Sequence, residues 1–206
     1  MTQPILNIQQ LCKSFGEQPV LRGLDMQLKA GQRIAILGES GCGKSTLLRV
    51  ISGLEEYDSG QVTLEHPRRC LMVFQDLGLW PSHTSMQQLV MAAKASKIDD
   101  AAAKAKRLLE QLRISHIADR KPATISGGEA RRLAFARVLI CQPKLILLDE
   151  AFSSLDSDNR QKGIELLQEV LGLSSAAVIM VTHNQDDATQ LGFPVFNLVD
   201  GQLLAR

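Results

Sequence analysis

The sequence predicts an α/β fold with a mostly parallel central sheet, an N-terminal antiparallel β region and an inserted α-helical subdomain. Three observations support this prediction. A short apolar strand, a glycine-rich loop and an amphipathic helix follow one another over residues 33–52. The first thirty residues alternate in the manner of a half-exposed sheet, and the stretch 77–141 has helical periodicity without a strong strand.

The N-terminal segment contains two predicted strands. Apolar and polar residues alternate weakly over Ile5–Leu11 and clearly over Leu24–Leu28, and a turn around Gly16 joins the two stretches. Phe15 lies in the polar, turn-like sequence between them. Because only 4% of the residues are aromatic, this ring is expected either to fill a gap in the core or to offer a stacking surface for a base.

The glycine-rich loop reads Gly38-Glu39-Ser40-Gly41-Cys42-Gly43-Lys44-Ser45-Thr46 and fits the pattern G-x-x-x-x-G-K-[ST] at every constrained position. A predicted strand over Arg33–Leu37 and a predicted helix over Lys44–Ser52 flank it, as a phosphate-binding loop requires. Backbone N–H groups at such a helix start favour an anion. Lys44 is expected to reach the β and γ phosphates and Ser45 to ligate Mg²⁺. A mere connecting turn is disfavoured because both flanks fit, so we predict a P-loop NTPase core, with ATP and GTP both open.

The middle of the chain changes from strands to helices. Strands are predicted over Gln61–Glu65 and Cys70–Phe74, and Gln75 follows the second one. This glutamine is expected to be a polar strand boundary, or else a contact to the γ-phosphate or Mg²⁺. Helices are predicted over Ser85–Ser96 and Asp99–Leu112.

A second glycine-rich helix start occurs at Ser126-Gly127-Gly128. Backbone N–H groups at this position are able to bind an anion, as in the first loop. The simpler interpretation is that Ser126 is an N-cap followed by permissive glycines, and on its own this interpretation is preferred.

Two carboxylates follow a fully apolar strand predicted over Lys144–Leu148, namely Asp149 and Glu150. Carboxylates at the end of a buried parallel strand are costly unless they have a cation or a chemical task. Beside a phosphate loop, Asp149 is expected to coordinate Mg²⁺ and Glu150 to lie next to the attacking water.

The remaining third continues the α/β alternation. A turn over 153–156 caps a helix predicted over Ser157–Leu171, and a buried strand over Ala176–Thr182 ends at His183. Since parallel strands align their carboxyl ends, His183 is expected at the same sheet edge as the two carboxylates. A short helix and a hairpin around Asp200-Gly201 follow.

Composition narrows the classes of function. A chain of 206 residues suits one domain with a large core. Its formal net charge of +1 gives no electrostatic reason to expect binding to nucleic acid. Neither a secretory signal nor an apolar run of the ~18 residues that span a bilayer is apparent. The scattered cysteines predict reduced thiols in a cytosolic protein, and an adduct on Cys42 is expected to obstruct the nucleotide; they are Cys12, Cys42, Cys70 and Cys141.

Taken together, the motifs resemble the ordered set of an ABC transporter ATP-binding subunit, similar to those of bacterial importers. The resemblance covers the chain from Phe15 to His183, and the order of the motifs makes it more specific than any one of them. The matching segments are Gly38–Thr46, Gln75, Ile125–Glu129, Leu145–Glu150, Ser153–Asp156 and His183.

The resemblance implies a role for each motif in ATP binding and hydrolysis. Phe15 matches the aromatic that stacks on adenine, and the loop matches Walker A. Asp149 matches the Walker B carboxylate that holds Mg²⁺, together with Ser45 and Gln75. Glu150 matches the general base, while Lys44, Gln75 and His183 match the residues that contact the γ-phosphate.

The resemblance also implies a homodimer, or a pair with a related ATPase, in the ATP-bound state. Ser126, Gly127 and Gly128 match the signature loop that contacts ATP of the other subunit, and Asp156 matches the acid of the D-loop at that interface. Glu129 replaces the usual glutamine of this motif. A carboxylate there is expected to weaken the ATP-bound pair slightly through like-charge repulsion.

The implied function is ATP hydrolysis that energises solute transport, with import as the expected direction, through a separate transmembrane permease. A solute-binding protein is a further expected partner, nucleic acid is not, and the location is the cytoplasmic face of the membrane. The chain is expected to form one domain, with 1–76 and 142–206 as core and β region and 77–141 as helical subdomain. The alternative is a soluble non-transport ABC-type ATPase associated with DNA repair or translation.

Overall fold

The computed structural model describes residues 4–74, 76–153 and 155–205. Within them the chain forms two compact units. The first takes in the described residues of Met1–Gln75, Lys144–Glu165 and Ser175–Arg206, and the second takes in Asp76–Pro143 and Leu166–Ser174. The predicted bounds of the helical subdomain, 77–141, remain a prediction.

The first unit contains all of the described strands. They are β1 (Leu6–Phe15), β2 (Gln18–Leu28), β3 (Arg33–Leu37), β4 (Ser59–Leu64), β5 (Cys70–Val73), β6 (Leu145–Asp149), β7 (Ala177–Thr182), β8 (Val195–Val199) and β9 (Gln202–Ala205). Strands β2, β1 and β4 form an antiparallel sheet, and a six-stranded sheet has the order β5-β6-β7-β3-β8-β9. The second sheet is parallel except for the β8-β9 hairpin, which confirms the predicted α/β fold class.

Helix α1 (Lys44–Ser52) follows β3, and both lie where the sequence predicts them. The apolar side chains of α1 and of both sheets form one buried cluster. Each of these large side chains contributes about 1.5–3 kcal/mol when it is fully buried. The phosphate loop is therefore held between two elements that the core anchors; examples from the cluster are Leu6, Ile8, Leu24, Ile34, Ile36, Leu47, Leu48, Leu147, Ile179 and Val181.

Strand β1 is longer than predicted, and Phe15 is its last residue rather than part of a loop. The strand passes through an irregularity at Gln10, which has a φ of 48°. The Asp25 carboxylate accepts hydrogen bonds there from the Gln10 backbone N (2.9 Å) and from its side-chain Nε2 (2.6 Å). A polar side chain from β2 thus supports the bulge and lets the strand continue.

The second unit is helical, and no strand occurs among its described residues. It contains α2 (Ser85–Ala95), α3 (Ala101–Gln111), α4 (Gly127–Leu139) and the last turns of α5 (Ser157–Gly172). The apolar stripe predicted for α3 is buried, and its members are Ala105, Leu108, Leu109 and Leu112. Helix α6 (Gln185–Leu191) belongs to the first unit. None of the described helices is both long and apolar enough to cross a lipid bilayer.

Candidate functional site

A cavity of about 450 Å³ lies at the phosphate loop, within the first unit. Its volume is in the range of small-molecule sites. It is lined by the end of the β1-β2 hairpin, by the loop with the start of α1, and by the end of β6. The lining residues are Phe15, Gln18, Val20, Ser40, Gly41, Gly43, Lys44, Ser45, Thr46, Asp149 and Glu150.

The loop leaves the start of α1 open. Gly43 is the N-cap, has a φ of 104° and offers no side-chain cap, and no acidic residue lies in the first turn. A Cβ at Gly43 would come within 2.7 Å of Val20 Cγ1. The backbone N–H groups of the first turn therefore have no anionic partner from their own helix, and such a helix start binds phosphate well.

The Lys44 side chain is buried and lies over the loop. Its Nζ donates hydrogen bonds to the carbonyl oxygens of Gly38 (2.8 Å) and Glu39 (2.7 Å) and lies 4.0 Å from Glu150 Oε1. The carbonyl groups of the phosphate loop therefore hold the ammonium in place, and Lys44 lines the cavity. Its contact with the β and γ phosphates stays a prediction.

Asp149 ends β6 and lies against α1. Ser45 Oγ donates a hydrogen bond of 2.8 Å to Asp149 Oδ1. Burial raises the pKa of this carboxyl above its ordinary value, the Ser45 hydrogen bond opposes the rise, and the neighbouring Glu150 adds to it. A partly buried carboxylate beside a hydroxyl and a second acid is a suitable place for a cation.

Glu150 follows β6 in a strained conformation. Its φ is 45°, in the left-handed region that residues with a Cβ rarely adopt. The turn is held by hydrogen bonds from Glu150 N to Val181 O (3.1 Å) and from the Ser153 N and Oγ to Glu150 O (3.1 and 3.0 Å). The adjacent strand therefore holds the carboxylate at the cavity.

His183 lies directly after β7, which is the neighbour of β6 in the sheet. Its Nδ1 is 3.6 Å from Glu150 Oε2, and its side chain is half exposed. His183 and Glu150 therefore lie at the same edge of the sheet, as the sequence predicts. The imidazole is not among the residues that line the cavity, although it contacts one that is.

Phe15 does not fill a gap in the core, since its side chain is 50% exposed. The Lys13 Nζ lies 4.8 Å from the ring centroid, at a distance suited to a cation–π contact. The same ammonium pairs with Glu55 at 2.7 Å. Of the two expectations for Phe15, the core role is wrong, and the ring is available at the cavity wall.

Several predicted site residues do not line the cavity. Gly38 and Glu39 contribute carbonyl oxygens to Lys44, and the half-buried Cys42 packs against the core cluster. Asp156 instead caps α5, because its Oδ1 accepts a hydrogen bond from Asn159 N (2.9 Å). Gln75 lies outside the described residues.

The second glycine-rich helix start is capped in part by its own side chains. Ser126 and Glu129 form a capping box at the start of α4. Glu129 Oε2 accepts hydrogen bonds from Ser126 N and Oγ (both 2.8 Å), and Oε1 lies 2.5 Å from His116 Nε2. The Ser126 backbone N–H and then His116 lower the pKa of Glu129 to about 2. Its carboxylate is therefore held between the N-cap of its own helix and His116.

Gln18 and Val20 line the cavity next to Phe15 and were not among the predicted site residues. Gln18 pairs with Phe15 across the hairpin. The signal was available in the short turn at Gly16-Glu17, because a two-residue hairpin turn places the following residues opposite Phe15.

Three comparisons with known proteins agree on one family. The sequence pattern of the family described as ABC transporter matches residues 21–153. Over 200 residues the chain is 39% identical to the aliphatic sulfonates import ATP-binding protein SsuB 2 of Pseudomonas savastanoi pv. phaseolicola, covering 97% of this chain and 73% of that relative. Over 216 residues it is 35% identical to the spermidine/putrescine import ATP-binding protein PotA of Aggregatibacter actinomycetemcomitans, covering 98% of this chain and 57% of that relative.

The fold has a close counterpart among solved structures. The structure of cbiO1 from Clostridium perfringens, described as part of the ABC transporter complex cbiONQ, matches with a TM-score of 0.85 at 27% sequence identity. The match covers 98% of this chain and 87% of that chain.

Proposed function

The chain belongs to the ABC transporter family, and from that membership and the geometry of its cavity we propose that it is the ATP-hydrolysing subunit that energises solute import through a separate membrane permease. The observation that carries the proposal is the cavity itself. A phosphate loop, two acids of one strand end and an exposed aromatic ring all line it. The import subunits among its relatives favour transport over the alternative of a non-transport ATPase.

ATP binds with its base at the hairpin end of the cavity and its phosphates at the loop. Phe15 offers an exposed ring face for the adenine. The open N–H groups of the first turn of α1 receive the phosphates. Lys44, already held at the loop, places its positive charge beside the β and γ phosphates.

Ser45 and Asp149 are the residues proposed to hold Mg²⁺, with Gln75 as a third contact. An oxygen pair 2.8 Å apart suits a hard cation. Two protein oxygens are sufficient because Mg²⁺ usually keeps water and phosphate oxygens as its other ligands. When bound, the ion neutralises charge that develops on the phosphates.

Glu150 is proposed as the general base that orients the attacking water. It lies on the cavity wall, 4.0 Å from the Lys44 ammonium and 3.6 Å from His183 Nδ1. The carboxylate accepts a proton from the water as the water attacks the γ-phosphorus, and the bond from that phosphorus to the β–γ bridging oxygen breaks so that ADP leaves. His183 and Gln75 contact the γ-phosphate.

A second copy is proposed to complete the site. Ser126, Gly127 and Gly128 of one copy contact the ATP held by the loop of the other, and Asp156 lies at the same interface. If the second subunit is a related ATPase instead of an identical copy, the same two halves form each ATP site. The chain is proposed to act at the cytoplasmic membrane face with its permease and a solute-binding protein; the relative cbiO1 is described as part of a transporter complex.

The test of this proposal is ATP turnover by the purified protein and by Glu150→Gln. The variant is expected to lose about a hundredfold or more in kcat, since the amide cannot accept the proton of water. ATP binding should persist, because the loop is unchanged. Glu56→Gln, an exposed acid of the same unit, is the matched control. Normal hydrolysis by Glu150→Gln would contradict the role of Glu150, and absence of turnover in the unmodified protein would contradict the proposed activity.

A further inference from the structure

Asp187 is a buried acid that the proposed chemistry does not use. It lies in the first turn of α6, and only 1% of its surface is exposed. The neighbouring Asp186 occupies the same turn but is exposed. An acid in the first turn stabilises a helix through the helix dipole without being buried. The dipole therefore does not explain why Asp187 is held inside the protein, where a carboxylate is costly unless it has partners.

The first partner of Asp187 is the strand end that precedes His183. Thr182 Oγ1 donates a hydrogen bond of 3.0 Å to Asp187 Oδ2 and accepts one of 3.0 Å from Asn184 N. Asn184 in turn caps α6, since its Oδ1 accepts from Asp186 N at 2.8 Å. Both residues next to His183 are thus tied to Asp187 through one hydroxyl group.

The second partner is Arg160, on the opposite side of Asp187. Arg160 Nε lies 3.0 Å from Asp187 Oδ1, although neither atom makes a hydrogen bond of standard geometry in the described residues. The Arg160 backbone N donates to Asp156 O at 2.8 Å, within the first turn of α5. The charge pair therefore connects the segment that carries His183 with the segment that carries Asp156.

We propose that Asp187 is a positioning residue for ATP hydrolysis. Together with Thr182 and Arg160 it fixes the backbone on both sides of His183, so that the imidazole stays beside Glu150. This inference rests on the proposed function, because it assigns a mechanical support to the proposed γ-phosphate contact. None of these supporting residues lines the cavity, so the support acts on the rate of the chemical step rather than on the affinity for ATP.

The experiment compares Asp187→Asn with Asp186→Asn. Both variants remove one charge from the same helix turn, but only the first weakens the tie to Arg160. Asp187→Asn is expected to lower kcat by about tenfold to a hundredfold, as a displacement of reacting groups does, with an unchanged KM for ATP. Asp186→Asn is expected to leave both parameters unchanged. An unchanged kcat in Asp187→Asn, or a loss that appears mainly in KM, would overturn the proposal.

A coupling test separates positioning from general damage. In a His183→Ala background, Asp187→Asn is expected to cause no further loss, because the group that it positions is already missing. The same fold-loss in both backgrounds would overturn the proposal. If Asp187→Asn does not fold, Thr182→Val removes the shared hydroxyl at nearly constant volume and is expected to give the same kcat loss and the same coupling.

Hydrogen exchange of the backbone N–H of Asn184 gives a readout that does not depend on ATP turnover. The exchange is expected to become faster in Asp187→Asn and to stay unchanged in Asp186→Asn, because Thr182 Oγ1 loses its charged acceptor in the first variant only. Equal exchange in both variants would overturn the inference even if the protein proved not to hydrolyse ATP. Turnover by the unmodified protein with an unaffected Asp187→Asn would instead contradict this inference alone.

Discussion

Two helices of this protein begin at a glycine-rich stretch, and they differ in what covers their first turn. At α1 the N-cap Gly43 brings no side chain and no acid follows in the first turn, so the N–H groups are open. At α4 a capping box provides acceptors for two N–H groups, because the Glu129 carboxylate accepts from Ser126 N and the Ser126 hydroxyl accepts from Glu129 N. The first helix start therefore has no side-chain acceptor at its N–H groups, whereas the second has acceptors for Ser126 and Glu129 but, within the described residues, none for Gly127 and Gly128.

The glycines themselves also differ in why they are needed. Gly43 has a φ of 104°, and a Cβ built at this position would lie only 2.7 Å from Val20 Cγ1. Gly128 shows neither feature, since a Cβ there would meet nothing within 4 Å. The described chain thus requires glycine at the first helix start and does not require it at the second. Our proposal for Gly128 is the close approach of a second copy that brings ATP.

The largest loss of ATP turnover is expected when the lysine at the open helix start is replaced. Lys44→Ala is expected to lower ATP turnover by about a hundredfold or more, because it removes the charge that stabilises the phosphates during transfer. The measurement is steady-state phosphate release at saturating ATP. Lys29→Ala, which alters an exposed lysine of the same unit, is expected to retain full turnover. Retained activity in Lys44→Ala would mean that the cavity is not the hydrolytic site.

A pair of glycine substitutions tests the comparison directly. Gly43→Ala is expected to lower the free energy of unfolding by about 1–3 kcal/mol, because a Cβ is strained at positive φ and collides with Val20. Gly128→Ala is expected to keep or raise stability by about 0.5–1 kcal/mol, as alanine does in a helix, yet to lower turnover. Urea denaturation and phosphate release measure the two effects. A Gly128→Ala protein that is both stable and fully active would show that nothing approaches the second helix start.

The smallest expected effect concerns the charge of the capping box. The pKa of Glu129 is lowered to about 2 in the folded protein, so the folded state binds protons less readily than the unfolded state. Its contribution to stability is complete above the ordinary carboxyl pKa and is lost as the pH falls toward 2. Glu129→Gln should therefore have a slightly lower Tm than the unmodified protein at pH 7, and the difference should shrink at pH 3. An equal difference at both pH values would contradict this assignment.

The parts of the fold that depend on local sequence were predictable. The strand over Arg33–Leu37 and the helix over Lys44–Ser52 have the predicted bounds, because the loop motif constrains both flanks. The alignment of His183 with Glu150 followed from the rule that parallel strands end at one edge.

The remaining parts depend on contacts between residues that are distant in the sequence. Strand β1 continues to Phe15 because Asp25 supports the bulge at Gln10, and no local pattern reveals this contact. Asp186 and Asp187 are equivalent in sequence, yet one is exposed and the other is buried against Arg160. Only the contacts of Asp187 with Arg160 and Thr182 distinguish them.

We propose that the open helix start of one copy and the glycine-rich start of α4 in another copy form one ATP site. The experiment mixes Lys44→Ala with Ser126→Arg in equal amounts and measures ATP turnover. Each variant alone should be inactive, since every site in its dimer lacks one half. In the mixture, random pairing puts half of the chains into mixed dimers, each with one intact site. Activity is expected to recover to about a quarter of that of the unmodified protein. A mixture as inactive as its components, or a Ser126→Arg protein that is active alone, would contradict it.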